Sequence, residues 1–295
     1  MAATAWLRQR KLTLCLGLTM TGLSTVYMLH LHPQLAGGTE NPDVMQLGLW
    51  LLLCMMCLLC LVRTVITDPG TIPDSFKAQD GAMPFHARET KQTGEIRVCK
   101  WCKRVKADRC HHCRACNACI LKMDHHCRWI NSCTGFYNYK FFFQLIVYAA
   151  ALFIFMLCTM ARSTLCSNQA APPRLRIAMY LAELLLLVLS IALSLFLALH
   201  VMLIKRGLTS IEFCEKRLRS KTAEERARLV SYDLGPWQNF IMVFGDSPWG
   251  WFLPLGQPKG DGLSFPHPVK KESPVLLNPE RRRPGTEDEK GEKSE

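Results

Sequence analysis

Twelve cysteines and histidines fall between residues 99 and 133 of this 295-residue chain. Eight of them form a pattern that occurs twice. Cys99-x2-Cys102-x9-His112-x6-Cys119 is repeated fourteen residues on as Cys113-x2-Cys116-x9-His126-x6-Cys133. Each copy offers three thiolates and one imidazole, the set that a structural Zn2+ takes in tetrahedral geometry. Two residues between cysteines allow a tight knuckle that aims both sulfurs at one ion. The copies overlap along the chain, so two such sites must interleave. So short a module has little core of its own, and the reading predicts that metal binding and folding are coupled.

Cys110, His111, His125 and Cys127 are left over. Cys127 stands where a third copy would begin, but residue 130 is Ile130, so a third metal site fails. Cys127 is therefore a thiol among metal ligands and bound to none. Beside it, His126 is committed to metal, while His125 is free to act as a base and Asp124 to orient its ring. Cys, His and carboxylate together are the arrangement of an activated nucleophile, in which the base lowers the effective pKa of the thiol. Cys110 has no such neighbours and reads as a packed thiol.

These residues must be positioned by a membrane-bound frame. About 20 mostly apolar residues cross the hydrocarbon of a bilayer, and four stretches qualify: Leu12–His30, Val44–Ile66, Phe141–Ala161 and Ile177–Ile204. The first is diluted by Thr13, Thr19, Thr21 and Ser24. It reads as a signal anchor, because His32–Pro33 and Glu40 do not resemble a cleavage site. The fold class expected is an all-α polytopic membrane protein, with four transmembrane helices and the double-zinc module between helices two and three. One soluble globule is excluded by the segregation of charge from the apolar runs. The expected division is 1–66 with two helices, 67–140 for the linker and zinc module, 141–204 with two more helices, 205–256 as a structured tail and 257–295 as a disordered one.

Basic residues set the orientation. Fourteen lie from Arg63 to Lys140 and 16 follow residue 204, against three between helices three and four. Both termini and the cysteine-rich loop are then cytosolic. The net charge of +12 is accounted for by these flanks, so nucleic acid is not an expected partner. Cytosolic placement also disfavours disulfides. Cys127 lies about a dozen residues before Phe141, where a nucleophile meets a thioester whose acyl chain stays in the hydrocarbon. The tail holds an aromatic segment, Trp237–Phe252, and the basic run Arg281–Arg283. Glu183, His200 and the cysteines of helix two (Cys54, Cys57, Cys60) read as structural.

Asp124-His125-His126-Cys127 within such a loop resembles the DHHC family of protein S-acyltransferases (palmitoyltransferases). The resemblance extends over roughly residues 44–266. It takes in Asp68-Pro69-Gly70, Thr209-Ser210-Ile211-Glu212, Asn239, Val243-Phe244-Gly245, Gly260-Asp261-Gly262 and Ser264-Phe265-Pro266. It implies a four-helix membrane enzyme that uses fatty acyl-CoA, palmitoyl-CoA above all. Carried over, Cys127 takes the acyl group as a thioester and passes it to a cysteine of a membrane-associated protein. His125 is its base, Asp124 the orienter of that base, and Asn239 a brace for the tail. The family's zinc ligands fall on the same eight residues that the repeat selects. An endomembrane address, Golgi or ER with the plasma membrane as alternative, follows from the resemblance alone, and a homo-oligomer is compatible with it.

The chain departs from the family at Arg128, where Pro is usual, and this puts a charge beside the nucleophile. Arg109, Lys122, Arg128 and Lys140 are the candidates to meet the phosphates of CoA. The competing function is a non-catalytic membrane adaptor that uses the zinc module only to bind partners. A metal-retaining Cys127→Ser variant distinguishes the two.

Overall fold

The computed structural model describes residues 17–29, 44–73, 88–91, 95–166, 172–215, 222 and 230–268. Helix α1 (residues 17–29) is followed by α2 (Val44–Ile66), and then by four three-residue strands. These are β1 (His111–Cys113), β2 (Ala118–Ile120), β3 (His125–Cys127) and β4 (Ser132–Thr134). Helices α3 (Tyr139–Cys166), α4 (Pro173–Lys205), α5 (Ser210–Cys214) and α6 (Pro236–Phe244) complete the order, with a 3-10 turn at Pro248–Trp251.

Among the described residues, three helices, α2, α3 and α4, are long and apolar enough to cross a membrane. They match the second, third and fourth predicted spans, and α4 starts on Pro173, a residue that suits a helix's first position. The first predicted span, Leu12–His30, is helical over its described residues 17–29, short of a crossing by itself. It does pack into the bundle. Leu23 and Tyr27 are buried with Trp50 of α2, Met156 and Met160 of α3, and Leu186 of α4. The Tyr27 hydroxyl meets Thr159 Oγ1 at 3.1 Å and accepts from Gln46 Nε2 at 3.1 Å. α3 is the central helix: half of its span is buried, against 28% for α2 and 17% for α4. Cys57 and Cys60 face this interior as packing residues.

The all-α expectation is corrected by two antiparallel hairpins, β1–β2 and β3–β4. Their cause is the metal-ligand spacing, which has no helical solution. His112 is the direct cross-strand partner of Cys119, and His126 of Cys133. The six-residue interval thus becomes a hairpin that sets both ligands on one face, where paired side chains approach closely. The two hairpin turns, and the turn between bridged Val98 and Val105 that precedes them, each reverse through a residue of positive φ: Asn117 (51°), Asn131 (49°) and Lys103 (57°), spaced by fourteen like the ligands.

The module is clamped to the helices from both sides. Leu121 N–H donates to the Gly70 carbonyl and Tyr137 N–H to Pro69, so the Asp68-Pro69-Gly70 segment after α2 runs along it. Gly135 is obligatory here, because a Cβ would stand 2.5 Å from the Pro69 carbonyl oxygen. Asn138, fully buried, accepts from Gly135 N–H and donates to the Cys133 and Thr64 carbonyls, which ties module, α2 and α3 at one point.

The folded tail runs beyond the predicted boundary at residue 256. Residues 257–268 cross the module, and Phe265 is buried against Phe136 and Tyr232. The basic run Arg281–Arg283 and the rest of the predicted disordered tail lie outside the described residues, as does the first predicted luminal connection; of the second, residues 162–166 belong to α3 and 173–176 to α4.

Candidate active site

Two metal-binding clusters flank the free thiol. In one, the sulfurs of Cys99, Cys102 and Cys119 lie 3.6, 3.2 and 3.8 Å from His112 Nδ1. In the other, Cys113, Cys116 and Cys133 lie 3.6, 3.4 and 3.6 Å from His126 Nδ1. A tetrahedron with Zn–S of about 2.3 Å and Zn–N of about 2.0 Å has S···N edges of about 3.5 Å. All ligand atoms of each cluster lie within 4.8 Å of one another. Donor type and geometry therefore fit two metal ions, on the eight residues picked by spacing.

Cys127 is paired across the second hairpin with Ser132, as Cys113 is with Ala118 across the first. It heads a third knuckle that keeps the backbone of the other two. In those, the Cys102 and Cys116 N–H groups each donate to the sulfur three residues before, at 3.4 Å. Ile130 N–H does the same for Cys127, joined by Trp129. A backbone built to stabilise metal-bound thiolates is thus applied to a sulfur that has no metal partner.

The nucleophile's other partner is His125. Its Nδ1 is 2.7 Å from Asp124 Oδ2 and 3.0 Å from Thr134 Oγ1, and the ring interacts electrostatically with the Cys127 thiol. With Nδ1 held by the carboxylate, Nε2 is the nitrogen that serves the sulfur. Asp124 is buried. Its Oδ1 accepts from Ser210 N–H at 2.8 Å and its Oδ2 from Ser210 Oγ at 2.9 Å. Ser210 thus orients the orienter, and Thr209 and Glu212 close a capping box around it.

Charge follows from these contacts. Burial opposes ionisation of all three groups. For His125 it is outweighed by hydrogen bonds to Asp124 and Cys127, which carry the imidazole up to about 9. For Cys127, the bonds from His125 and from Ile130 N–H outweigh burial and hold the thiol below its ordinary value. Asp124 is held below the usual carboxylate range by His125 in spite of burial. Both shifts run in the direction that favours an imidazolium beside a thiolate. Alkylation of Cys127 by iodoacetamide should extend to lower pH than that of an ordinary thiol and decline as acid protonates the sulfur. In His125→Gln the rate-versus-pH curve should move toward an ordinary thiol's, near about 8.5. An unmoved curve would disprove the pairing.

Cys127 packs with Ile130, Phe142 and Ile146, and Leu61 of α2 and Leu193 and Leu197 of α4 close around them. Three membrane helices therefore meet at the sulfur. His200 stands beside the site: its ring lies 6.1 Å from that of His125 and 5.5 Å from that of Phe142, and Tyr139 Oη meets its Nδ1 at 2.9 Å. Sequence reading gave His200 only a structural place in α4, and Thr134 no role. No spacing signal marks either residue.

The basic residues divide. Arg109 is a correction to the expected phosphate contacts, since it is buried and doubly paired with Glu212 at 2.6 and 2.8 Å. Its guanidinium also donates to the Gly207 carbonyl and faces the rings of Tyr232 and Phe265. Lys140 is a second correction: its ammonium is buried and donates to the Phe244, Gly250 and Leu255 carbonyls. Half-buried Lys122 lines a small, partly open cavity with Arg109 and Asp124, where desolvation lowers its pKa to about 7. Arg128 is exposed, next to the nucleophile.

Comparison with known proteins agrees with this geometry. A family profile described as DHHC palmitoyltransferase matches residues 92–217. "Probable protein S-acyltransferase 16" of Arabidopsis thaliana is 33% identical over 235 residues, 77% of this chain and 82% of that protein. The chain belongs to the DHHC palmitoyltransferase family. Other DHHC relatives are longer. "Palmitoyltransferase ZDHHC15" of Mus musculus is 34% identical over 64% of this chain and 56% of its own length. "Palmitoyltransferase ZDHHC20" of Homo sapiens is 33% identical over 63% and 50%. The chain thus spans about half the length of these two. As a DHHC protein it is a multi-pass membrane acyltransferase of protein palmitoylation.

The Thr209–Glu212 segment yields a stability prediction. Glu212→Ala leaves the buried Arg109 unpaired, a change that costs about 3–5 kcal/mol. The thermal midpoint of the detergent-solubilised enzyme should fall sharply. Lys259→Ala, which breaks an exposed pair with Asp246, should leave that midpoint where it is.

Proposed function

We propose that this enzyme is a protein-cysteine S-palmitoyltransferase working through a Cys127 acyl-enzyme, with fatty acyl-CoA as donor. His125 Nε2 takes the proton of the Cys127 thiol. The thiolate attacks the acyl carbonyl carbon, the new thioester forms and the bond to CoA breaks. The imidazolium returns its proton to the departing CoA sulfur. In the second half, His125 deprotonates a substrate cysteine, whose sulfur attacks the Cys127 thioester and releases Cys127. The observation that carries this reading is the position of the Cys127 thiol, which interacts with His125 and packs in one cluster with Phe142 and Ile146, against which Leu61 and Leu193 close. An acyl chain leaving that sulfur enters hydrocarbon, with about 0.8 kcal/mol gained for each buried CH2.

In this reading both clusters hold Zn2+ in a structural role: Cys99, Cys102, His112 and Cys119 in one, and Cys113, Cys116, His126 and Cys133 in the other. Four protein ligands close each coordination sphere, so the metals hold the hairpins and leave the chemistry to His125 and Cys127. Arg128 is the cation placed to meet CoA phosphates. The distribution of basic residues supports a cytosolic module and cytosolic termini. Substrates are then membrane proteins with cysteines on that face, and the address is Golgi or ER.

Purified enzyme incubated with palmitoyl-CoA should gain one hydroxylamine-labile palmitoyl group, mapped by peptide mass spectrometry to Cys127. Folded, metal-loaded protein that gains none would overturn the acyl-carrier role and favour the adaptor.

A further inference from the structure

The aromatic end of the tail has no part in the chemistry. From Ser247 to Pro258 the chain carries no charged residue. At the neck of this stretch Asp246 and Lys259 form an exposed ion pair at 2.8 Å. Between them the chain lies along the first turns of α3, inside the span that begins at Tyr139.

The contacts are made by three α3 residues placed one turn apart. Lys140 donates to the Phe244, Gly250 and Leu255 carbonyls. Gln144 Nε2 donates to the Trp251 and Leu253 carbonyls at 2.8 and 2.7 Å. The Tyr148 hydroxyl donates to the Phe252 carbonyl. Lys140 to Tyr148 covers about 12 Å of helix. A loop in water has no need of such capping, because water satisfies its carbonyls. In hydrocarbon each unsatisfied carbonyl costs several kcal/mol, and irregular backbone persists at that depth only when protein groups satisfy it.

The side chains divide accordingly. Trp251 turns inward, its indole donating to the Gly245 carbonyl and its ring lying against Phe240. Trp249, Phe252 and Leu255 turn outward, 85, 65 and 60% exposed. Large apolar side chains on the outside, with their own backbone satisfied from a membrane helix, match a lipid solvent and mismatch an aqueous one.

We propose that residues 248–256 are seated in the bilayer leaflet that α3 enters, with Trp249, Phe252 and Leu255 in contact with phospholipid. The loop then gives the tail a foothold in the membrane separate from the helices, and the Asp246–Lys259 pair marks its exit into water. Lys140, Gln144 and Tyr148 act as the polar seat for its backbone.

The test uses the full chain in phosphatidylcholine nanodiscs, with the photocrosslinker p-benzoylphenylalanine at position 252 or 255. Position 154, a lipid-exposed site on α3, is the positive control, and position 101, exposed on the metal module, the negative one. After irradiation, intact mass should show phospholipid adducts at 252 or 255 in yields like those at 154 and several-fold above 101. Yields at both positions no higher than at 101 would overturn the proposal. Covalent pairs of chains in place of lipid adducts would overturn it too, and would assign the face to contact between two copies.

Discussion

Cys127→Ser is expected to abolish palmitoyl transfer, by at least about a thousandfold, while bound metal stays unchanged. The activity loss follows from the sulfur's surroundings. His125, and the N–H groups of Ile130 and Trp129, are arranged to hold a thiolate. A serine hydroxyl in their place stays protonated near neutral pH, and the imidazolium that stabilises a sulfur anion is then a poor base for an alcohol. The unchanged metal content follows from the third knuckle. It keeps the left-handed turn at Asn131 but carries Ile130 where the other two have Cys102 and Cys116, so Cys127 ligates nothing. Single-turnover transfer and elemental analysis on the same sample provide the check. Retained transfer in Cys127→Ser would remove this residue from the mechanism, and lost metal would make it a ligand. Cys158→Ser, at an exposed position of α3, should match wild type in both measurements.

What was legible in the sequence depends on how local its cause is. Metal ligands follow from spacing within thirty-five residues, and the vacant third copy exposed Cys127 by the same arithmetic. The long apolar helices are equally local. The strands escaped notice because no β-propensity marks His111–Cys113 or His125–Cys127. Cross-strand ligand pairing makes them, and three residues leave no period to read. Arg109 and Lys140 were misread for the opposite reason. A cation looks available until the chain returns with its partners, and these come from Glu212 and from the carbonyls of Phe244 to Leu255, about a hundred residues away. Phe265 likewise belongs to the module's core only because of that return. Ser210 lay inside a motif the resemblance had flagged, but its task, fixing both oxygens of Asp124, needed the fold.

Cys133→Ser is expected to silence the enzyme as completely as Cys127→Ser, although Cys133 touches no reacting atom. Cys133 is the cross-strand partner of His126, and His126 stands between His125 and Cys127 in β3. Releasing that pair frees the strand that aims base and nucleophile at each other. The damage spreads through the interleaving, because the first hairpin carries Cys113, at the end of β1, and Cys116, in its turn, both ligands of the second cluster. Structural Zn2+ contributes about 10–16 kcal/mol in small domains, as much as a whole domain's net stability of about 5–15 kcal/mol. The module should therefore lose its order while α2, α3 and α4 keep theirs. Far-ultraviolet circular dichroism should retain the helical signal, metal content should fall, and module thiols should become reactive to alkylation throughout. Wild-type protein stripped with a strong chelator should behave in the same way. If stripped protein still acquires palmitate on Cys127, the hairpins hold their shape without metal, and the pairing of His126 with Cys133 is not what aligns the site.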